Sequence, residues 1–340
     1  MIKAVLLNDT RVDRHHGCTT VVETITTLCA ANGMTLTATA PAHADWRDND
    51  AFRAHLEEAD VVLVNGEGTI HHDRPAGLRL LEVGPYAKER GKITALLNST
   101  WQANGEKALE QLSRFDLISL RESASEAELA AHGVIARRIP DLALYHAPDK
   151  SRVRKDVGFA ESVEGTKALA LYRQMWTHGG RAIPIMRLPY DPLTALRWLK
   201  RYDPSVLALA KPPHLFAALR ATITDLTRQF ADRDTYTREV AASELLVTGR
   251  FHAMIFALSS KTPLLALRSN THKIEATMAD AGLADWRVVD SAEAIDAALL
   301  ERAKYWESGE EKALDAYLAS GRANMEQLFA DIAAKAAAPV

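Results

Sequence analysis

The sequence predicts two α/β domains, each a parallel sheet covered by helices. Three observations carry this. Short β-branched runs alternate with helical patterns. At 340 residues the chain has room for two medium domains with separate cores. The rhythm breaks at the polar, charged stretch "HAPDKSRVRKD" and then restarts. The first strands are "KAVLLN", "TLTATA", "DVVLVN", "KITALLN", "DLISL" and "ARRIPDL", with helices such as "TTVVETITTLCAAN" and "EKALEQLSRF" between them. They assign residues 1–150 to a first domain. "DVGFAES", "RAIPIMRL", "ELLVTGR", "TPLLALR" and "WRVVD" build the second, 151–340, which closes with helical segments Ser291–Trp306 and Glu310–Lys335.

Composition narrows the function. Lys and Arg number 41 against 44 Asp and Glu, so no global field points to nucleic acid, and any anion site must be local. Cys18 and Cys29 have no metal-ligand spacing, which favours a reducing compartment. "MIKAVLLNDTR" turns polar after one short apolar run, unlike a signal peptide. No window approaches the ~20 apolar residues of a membrane span. A cytoplasmic protein is expected, with membrane contact limited to the periphery of the inner face of the bacterial inner membrane.

In open parallel sheets, ligands bind beyond the carboxyl ends of the strands. Five such ends in the first domain carry unusual residues. The first strand leads into "NDTRVDRHHGCTT", with Asn8, Arg11, His15 and His16. The third leads into "NGEGTIHH", with Gly66, Glu67, Gly68, His71 and His72. "NSTWQ" supplies Asn98 and Gln102, "RESAS" supplies Arg121 and Ser123, and "IPDLAL" supplies Asp141. Any one loop reads as a tight turn or a cap with an incidental acid. Five loaded loops on one sheet edge define a site, and Glu67 with Asp141 suits an acid/base or nucleophile pair. Adjacent histidines point apart and lack the i, i+4 spacing of helical metal ligands, so no metal is expected. "DND", Asp48 to Asp50, reads as a helix N-cap.

In the second domain, "ELLVTGRFHAM" places Gly249, Arg250 and His252 at a helix start, and "RSNTHK" places Ser269, Asn270, Thr271 and Lys273 at the next. Two such helix N-termini suit one phosphate or carboxylate. Between Arg173 and Lys211 lies a basic stretch with interleaved aromatics, including "RWLKRY". It is a solvated face or a contact for an anionic acceptor or membrane surface.

"GRFHAM" followed by "TPLLALRSNTHKIEATMADAGL", with upstream "SLRESAS" and "IPDLAL", resembles the polysaccharide pyruvyl transferase superfamily over most of the chain. The resemblance implies a GT-B-like fold: two Rossmann-like domains facing a cleft, the activated donor held mainly by the C-terminal one and the acceptor and catalytic carboxylates by the N-terminal one. Phosphoenolpyruvate-using members usually show a glycine-only turn where this chain has Gly66-Glu67-Gly68. "NGEGTIHH", "NDTR…HHGC" and "IPDL" are more similar to the retaining β-Kdo transferases of bacterial surface polysaccharide assembly, which use CMP-Kdo. That likeness implies Asp141 as nucleophile, Glu67 as acid/base, and the Arg250/His252 and Ser269–Lys273 elements at the CMP phosphate. Arg11, His15, His16 and Arg121 are then candidate cations for the sugar carboxylate. No cofactor or metal is implied, and the acceptor is a glycan or lipid-linked oligosaccharide. Two further readings stay open. One is pyruvyl ketal formation from phosphoenolpyruvate; the other is a different nucleotide-sugar transferase or a non-catalytic sugar-nucleotide-binding subunit.

Overall fold

The structure, a computed structural model, describes residues 1–146, 153–186 and 232–338. The part of the basic stretch from 187 to 211, with "RWLKRY", lies outside the described residues. The chain forms two compact units. One comprises Met1–Asp13, Cys18–Tyr145 and Tyr317–Val340, and the other Arg14–Gly17 and His146–Ala316. The chain therefore passes between units more often than a single cut near residue 150 describes.

In the first unit, strands β1 (Ile2–Asp9), β2 (Met34–Pro41), β3 (Val61–Glu67), β4 (Ile93–Ser99), β5 (Leu117–Leu120) and β6 (Arg137–Arg138) form one parallel sheet in the order β2-β1-β3-β4-β5-β6. Every residue of β3 is buried, as expected of a central strand covered on two faces. Helices α1 (His16–Ala31), α2 (Asp50–Glu58), α3 (Pro75–Leu81), α4 (Val83–Lys88), α5 (Glu106–Leu112) and α6 (Ser123–Ala131) connect the strands. Asn49 of the "DND" triplet is the N-cap of α2, its side chain accepting the Phe52 amide at 3.0 Å. Val5, Leu7, Val62, Val64 and Leu96 from the strands pack with Phe52, Leu56 and Leu81 from the helices in one core.

The second unit repeats the plan. Strands β7 (Val157–Ser162), β8 (Arg181–Ala182), β9 (Leu245–Gly249), β10 (Leu264–Leu267) and β11 (Val288–Val289) form a parallel sheet in the order β11-β10-β9-β7-β8. Its helices are α7 (Gly165–His178), α8 (Arg233–Ala241), α9 (Phe251–Ser259), α10 (Lys273–Asp280) and α11 (Ala297–Ala303), and the long α12 (Glu310–Ala337) begins here, its residues from Tyr317 onward belonging to the first unit. Gly179 closes α7 at φ 73°, a left-handed cap that glycine adopts without Cβ strain. The helix expected over Ser291–Trp306 is shorter. Asp296 caps α11 by accepting the Leu299 amide at 2.7 Å, and a separate 3-10 turn, Ala292–Ala294, precedes it. Arg287 is buried and pairs with Glu310 at 2.8 Å, fixing the start of α12.

Among the described strands the two sheets share a reversal. In the first, β2 lies on one side of β1 and the later strands on the other; in the second, β8 and β9 flank β7 in the same way. A reversal of strand order opens a crevice at the carboxyl ends of the strands that flank it. The crevices fall between β1 and β3, and between β7 and β9.

Candidate functional site

The first crevice is built around Glu67. Its strand ends there, and the residue takes φ 39°, a left-handed conformation uncommon outside glycine. Neighbouring ends share this feature: Asn8 near the end of β1 has φ 63° and Asn98 in β4 has φ 55°. Left-handed residues of this kind cost about 1–3 kcal/mol each and gather where the surrounding structure holds them for a purpose. The side chain of Glu67 is buried and well bonded. Thr10 donates its hydroxyl to Oε1 at 2.6 Å and Asn65 Nδ2 donates to the same oxygen at 2.9 Å. The Cys18 thiol donates to Oε2 at 3.4 Å. Burial, with the charges of Glu67 and Asp13 nearby, pushes that thiol well above its ordinary pKa, so it stays protonated.

The glycines around Glu67 do different things. A Cβ on Gly66 would lie 2.5 Å from Ser99 Cβ, so glycine is required for β3 and β4 to close there. A Cβ on Gly68 would meet only Arg121 Nη2, at 3.9 Å, so this exposed glycine keeps room beside that guanidinium. Asn8 Nδ2 donates to the Asn65 carbonyl at 2.6 Å and braces the turn. A connected path leads from here to Asp141. The Thr100 amide donates to the Glu67 carbonyl at 2.8 Å, Arg121 Nη2 donates to Thr100 Oγ1 at 2.7 Å, and Arg121 Nη1 pairs with Asp141 Oδ2 at 3.0 Å. Asp141 is 0% exposed, and its other oxygen accepts the Ala143 amide at 2.9 Å. Asn98 Oδ1 accepts the Leu142 amide at 3.0 Å, while its buried Nδ2 has no hydrogen-bond partner among the described residues.

The other candidates of this unit lie on the same edge in different settings. Arg11 bonds Asp9 through Nε at 2.9 Å. Burial pushes the Asp9 carboxyl up, but hydrogen bonds from Arg11 and Thr39 outweigh it and hold the group below its ordinary value. His71 and exposed His72 share a hydrogen bond between their Nδ1 atoms at 2.8 Å, and the His72 amide donates to the Gln102 carbonyl at 2.8 Å. Ser123 opens α6, whose N-cap is Glu122.

The second crevice holds Arg250 and Glu161. Glu161 lies near the end of β7, its Oε1 3.4 Å from Arg250 Nε and its Oε2 accepting the Ile185 amide at 3.1 Å. Gly249 mirrors Gly66: a Cβ there would sit 2.7 Å from the Ser162 side chain. Arg250 and His272 precede α9 and α10, and neither helix start has a side-chain cap hydrogen bond. Lys273 bonds Asn270 Oδ1 at 2.8 Å and Thr271 Oγ1 at 3.0 Å, and Ser269 donates to the same Asn270 oxygen at 3.1 Å.

His15 and His16, expected beside the first sheet's other loops, belong to the second unit. The His15 ring stands edge-on to His252 at 5.2 Å, and His16 stacks on Tyr236 at 4.9 Å. Gly17 permits this approach, because a Cβ there would fall 2.2 Å from His252 Cγ. The Tyr236 hydroxyl is buried with no hydrogen-bond partner among the described residues. Burial, with Glu161 and Tyr172 nearby, pushes its pKa well up.

Sequence reasoning missed Thr10, Asn65, Cys18, Thr100, Glu161 and Tyr236. Glu161 had a signal, an acid at the end of "DVGFAES"; Thr10 and Asn65 stand inside loops already singled out, hidden by their ordinary residue types.

Two parallel α/β units with loaded crevices define a GT-B-like fold. Consistent with this, the chain is similar in structure to the Methanocaldococcus jannaschii UDP-GlcNAc 2-epimerase solved with UDP-GlcNAc and UDP, at TM-score 0.57 and 12% identity, covering 96% of this chain and 99% of that one. An α-glucosyltransferase solved with UDP and DNA is matched more distantly, at TM-score 0.43 and 8% identity, covering 99% and 94% of the two chains. Residues 22–271 match the polysaccharide pyruvyl transferase family, and the chain belongs to it. No curated protein matches the sequence. Among the described residues no helix is long and apolar enough to cross a membrane.

Proposed function

We propose that the chain transfers a pyruvyl group from phosphoenolpyruvate to a pair of hydroxyls on a bacterial surface glycan or its lipid-linked precursor, forming a ketal. The family match over residues 22–271 carries this reading. Two C–O bonds form at C2 of the donor while its C2–O bond to phosphate and its C2=C3 π bond break, the π pair taking up a proton at C3. One hydroxyl proton ends on C3, making the methyl group, and the other leaves with the phosphate. Glu67 is the group that takes a hydroxyl proton and returns it. Arg250, His252 and Lys273, with Ser269, Asn270, Thr271 and the uncapped amides of α9 and α10, hold the donor phosphate. Asn98 Nδ2, a buried donor with no hydrogen-bond partner among the described residues, is suited to a substrate oxygen.

The retaining CMP-Kdo reading stands second, with Asp141 as nucleophile. The pair of buried carboxylates on one sheet edge favours it. Against it, Asp141 is enclosed and has Arg121 and the Ala143 amide on its two oxygens.

A calorimetric panel separates the two. Phosphoenolpyruvate should bind and CMP should not, and Arg250→Ala should weaken donor binding about ten- to a hundred-fold by removing a charge-assisted hydrogen bond. Binding of CMP but not phosphoenolpyruvate would transfer the case to the second reading.

Neither reading requires a metal, because cations and helix amides can stabilise a phosphate leaving group. Turnover should therefore survive exhaustive chelation. A loss restored by one divalent ion would show otherwise.

A further inference from the structure

From the bonding around Glu67 we infer that Thr10 and Asn65 are positioning residues that dedicate its two oxygens to different tasks, Oε1 to anchoring and Oε2 to carrying the proton. This rests on the acid/base role of Glu67 proposed above. Oε1 accepts two bonds of ordinary strength, at 2.6 Å from Thr10 and 2.9 Å from Asn65. Oε2 accepts, among the described residues, only the Cys18 thiol, at 3.4 Å. A thiol is a weak donor, so it leaves the lone pairs of Oε2 the more basic.

The asymmetry is anchored on two elements. Thr10 follows β1 and Asn65 belongs to β3, the strands that flank the crevice. Asn65 also reaches the Asn8 carbonyl at 3.3 Å, and Asn8 Nδ2 returns a bond to the Asn65 carbonyl at 2.6 Å. The left-handed backbone at Asn8 and Glu67 is therefore tied across the crevice by the same side chains that hold Oε1. Cys18 remains a neutral thiol because burial raises its pKa, so no second anion forms beside Oε2. In the step this serves, the acceptor O–H bond breaks, its proton bonds to Oε2, and the electron pair stays on the sugar oxygen. That pair forms the bond to C2 of the donor, and the proton passes from Oε2 to C3, bonded there by the pair of the broken C2=C3 π bond. Oε1 keeps its two hydrogen bonds throughout, so the carboxylate turns little during the transfer.

A double-mutant cycle tests this with the full-length protein. Thr10→Val should lower kcat about ten- to a hundred-fold, the effect of losing one hydrogen bond to a charged group, with little change in the KM for the donor. Thr10→Ser, which keeps the hydroxyl, should recover most of the rate. In a Glu67→Gln background Thr10→Val should lower kcat no further, because its effect acts through the carboxylate. Additive losses in the double variant, or failure of Thr10→Ser to recover activity while Thr10→Val and wild type melt alike, would overturn the inference. If Thr10→Val does not fold, Thr10→Ala takes its place in the same cycle, and an additive loss with Glu67→Gln there overturns the inference. Full activity in Glu67→Gln would instead overturn the acid/base role itself.

Discussion

Glu67→Gln should fold like the wild type and lose roughly 10²–10⁴-fold in kcat, the range that a positioned proton-transfer group contributes. The amide keeps the shape and can still accept from Thr10 and Asn65 through its carbonyl oxygen. Those two bonds survive if that oxygen occupies the position of Oε1. What disappears is the basic oxygen. Donor affinity should change little, because the residues proposed to hold the phosphate belong to the other unit. Single-turnover kinetics with phosphoenolpyruvate and an oligosaccharide acceptor, alongside calorimetry on the same preparation, would separate rate from binding. A variant that binds the donor normally and turns over at the wild-type rate would remove Glu67 from the chemistry. The strain at this residue adds a check on its purpose. Glu67→Gly relieves a left-handed conformation but strips Thr10 and Asn65 of the carboxylate they bond, so the two effects on stability should offset while activity is lost at least as severely.

The sequence made the architecture readable because parallel strands buried on two faces leave long apolar runs. "VVLVN" and "ELLVTG" are visible without any tertiary information. Strand ends were readable for the same reason, since a polar residue directly after such a run must lie at the sheet edge. That logic singled out Glu67 and Asp141, and the structure puts Arg121 between their loops. Edge elements were less legible. β6 and β8 are two residues each, and their stability comes from a neighbouring strand, not from their own pattern. The partners of Glu67 could not be read at all. Thr10 lies 57 residues away and Cys18 49 residues away, and a threonine or cysteine becomes informative only once the fold places it against a carboxylate. His15 and His16 were legible as polar residues in a loaded loop. Their pairing with His252 and Tyr236 depends on a chain crossing that no local pattern encodes.

Asp141→Asn should destabilise the protein by about 3–5 kcal/mol, because it breaks the buried ion pair of Asp141 with the Arg121 guanidinium. Arg121 and Asp141 are 1% and 0% exposed in their side chains, so water cannot take over the lost role. A loss of activity in this variant would therefore be ambiguous: a damaged fold and a missing nucleophile give the same zero. Replacing the pair together resolves it. Removing one member strands a charge, whereas exchanging the two for apolar groups of similar volume is often neutral in stability. Arg121→Met with Asp141→Leu should recover most of the denaturation midpoint lost in Asp141→Asn. If Asp141 serves by holding Arg121 and, through Thr100, the backbone of Glu67, the double variant should still transfer, at a reduced rate set by the loosened turn. A nucleophile has no such substitute. A double variant that folds, binds donor and gives no product would leave two causes, Asp141 lost as nucleophile or Arg121 lost as a cation for the substrate carboxylate, and the adduct separates them. With Asp141 as nucleophile, intact-protein mass spectrometry of the wild type mixed with CMP-Kdo would show the adduct, and peptide mapping would locate it on Asp141. Persistent transfer in the double variant, with no adduct on the wild type, instead fits an enclosed ion pair that fixes the position of the acid on the neighbouring strands.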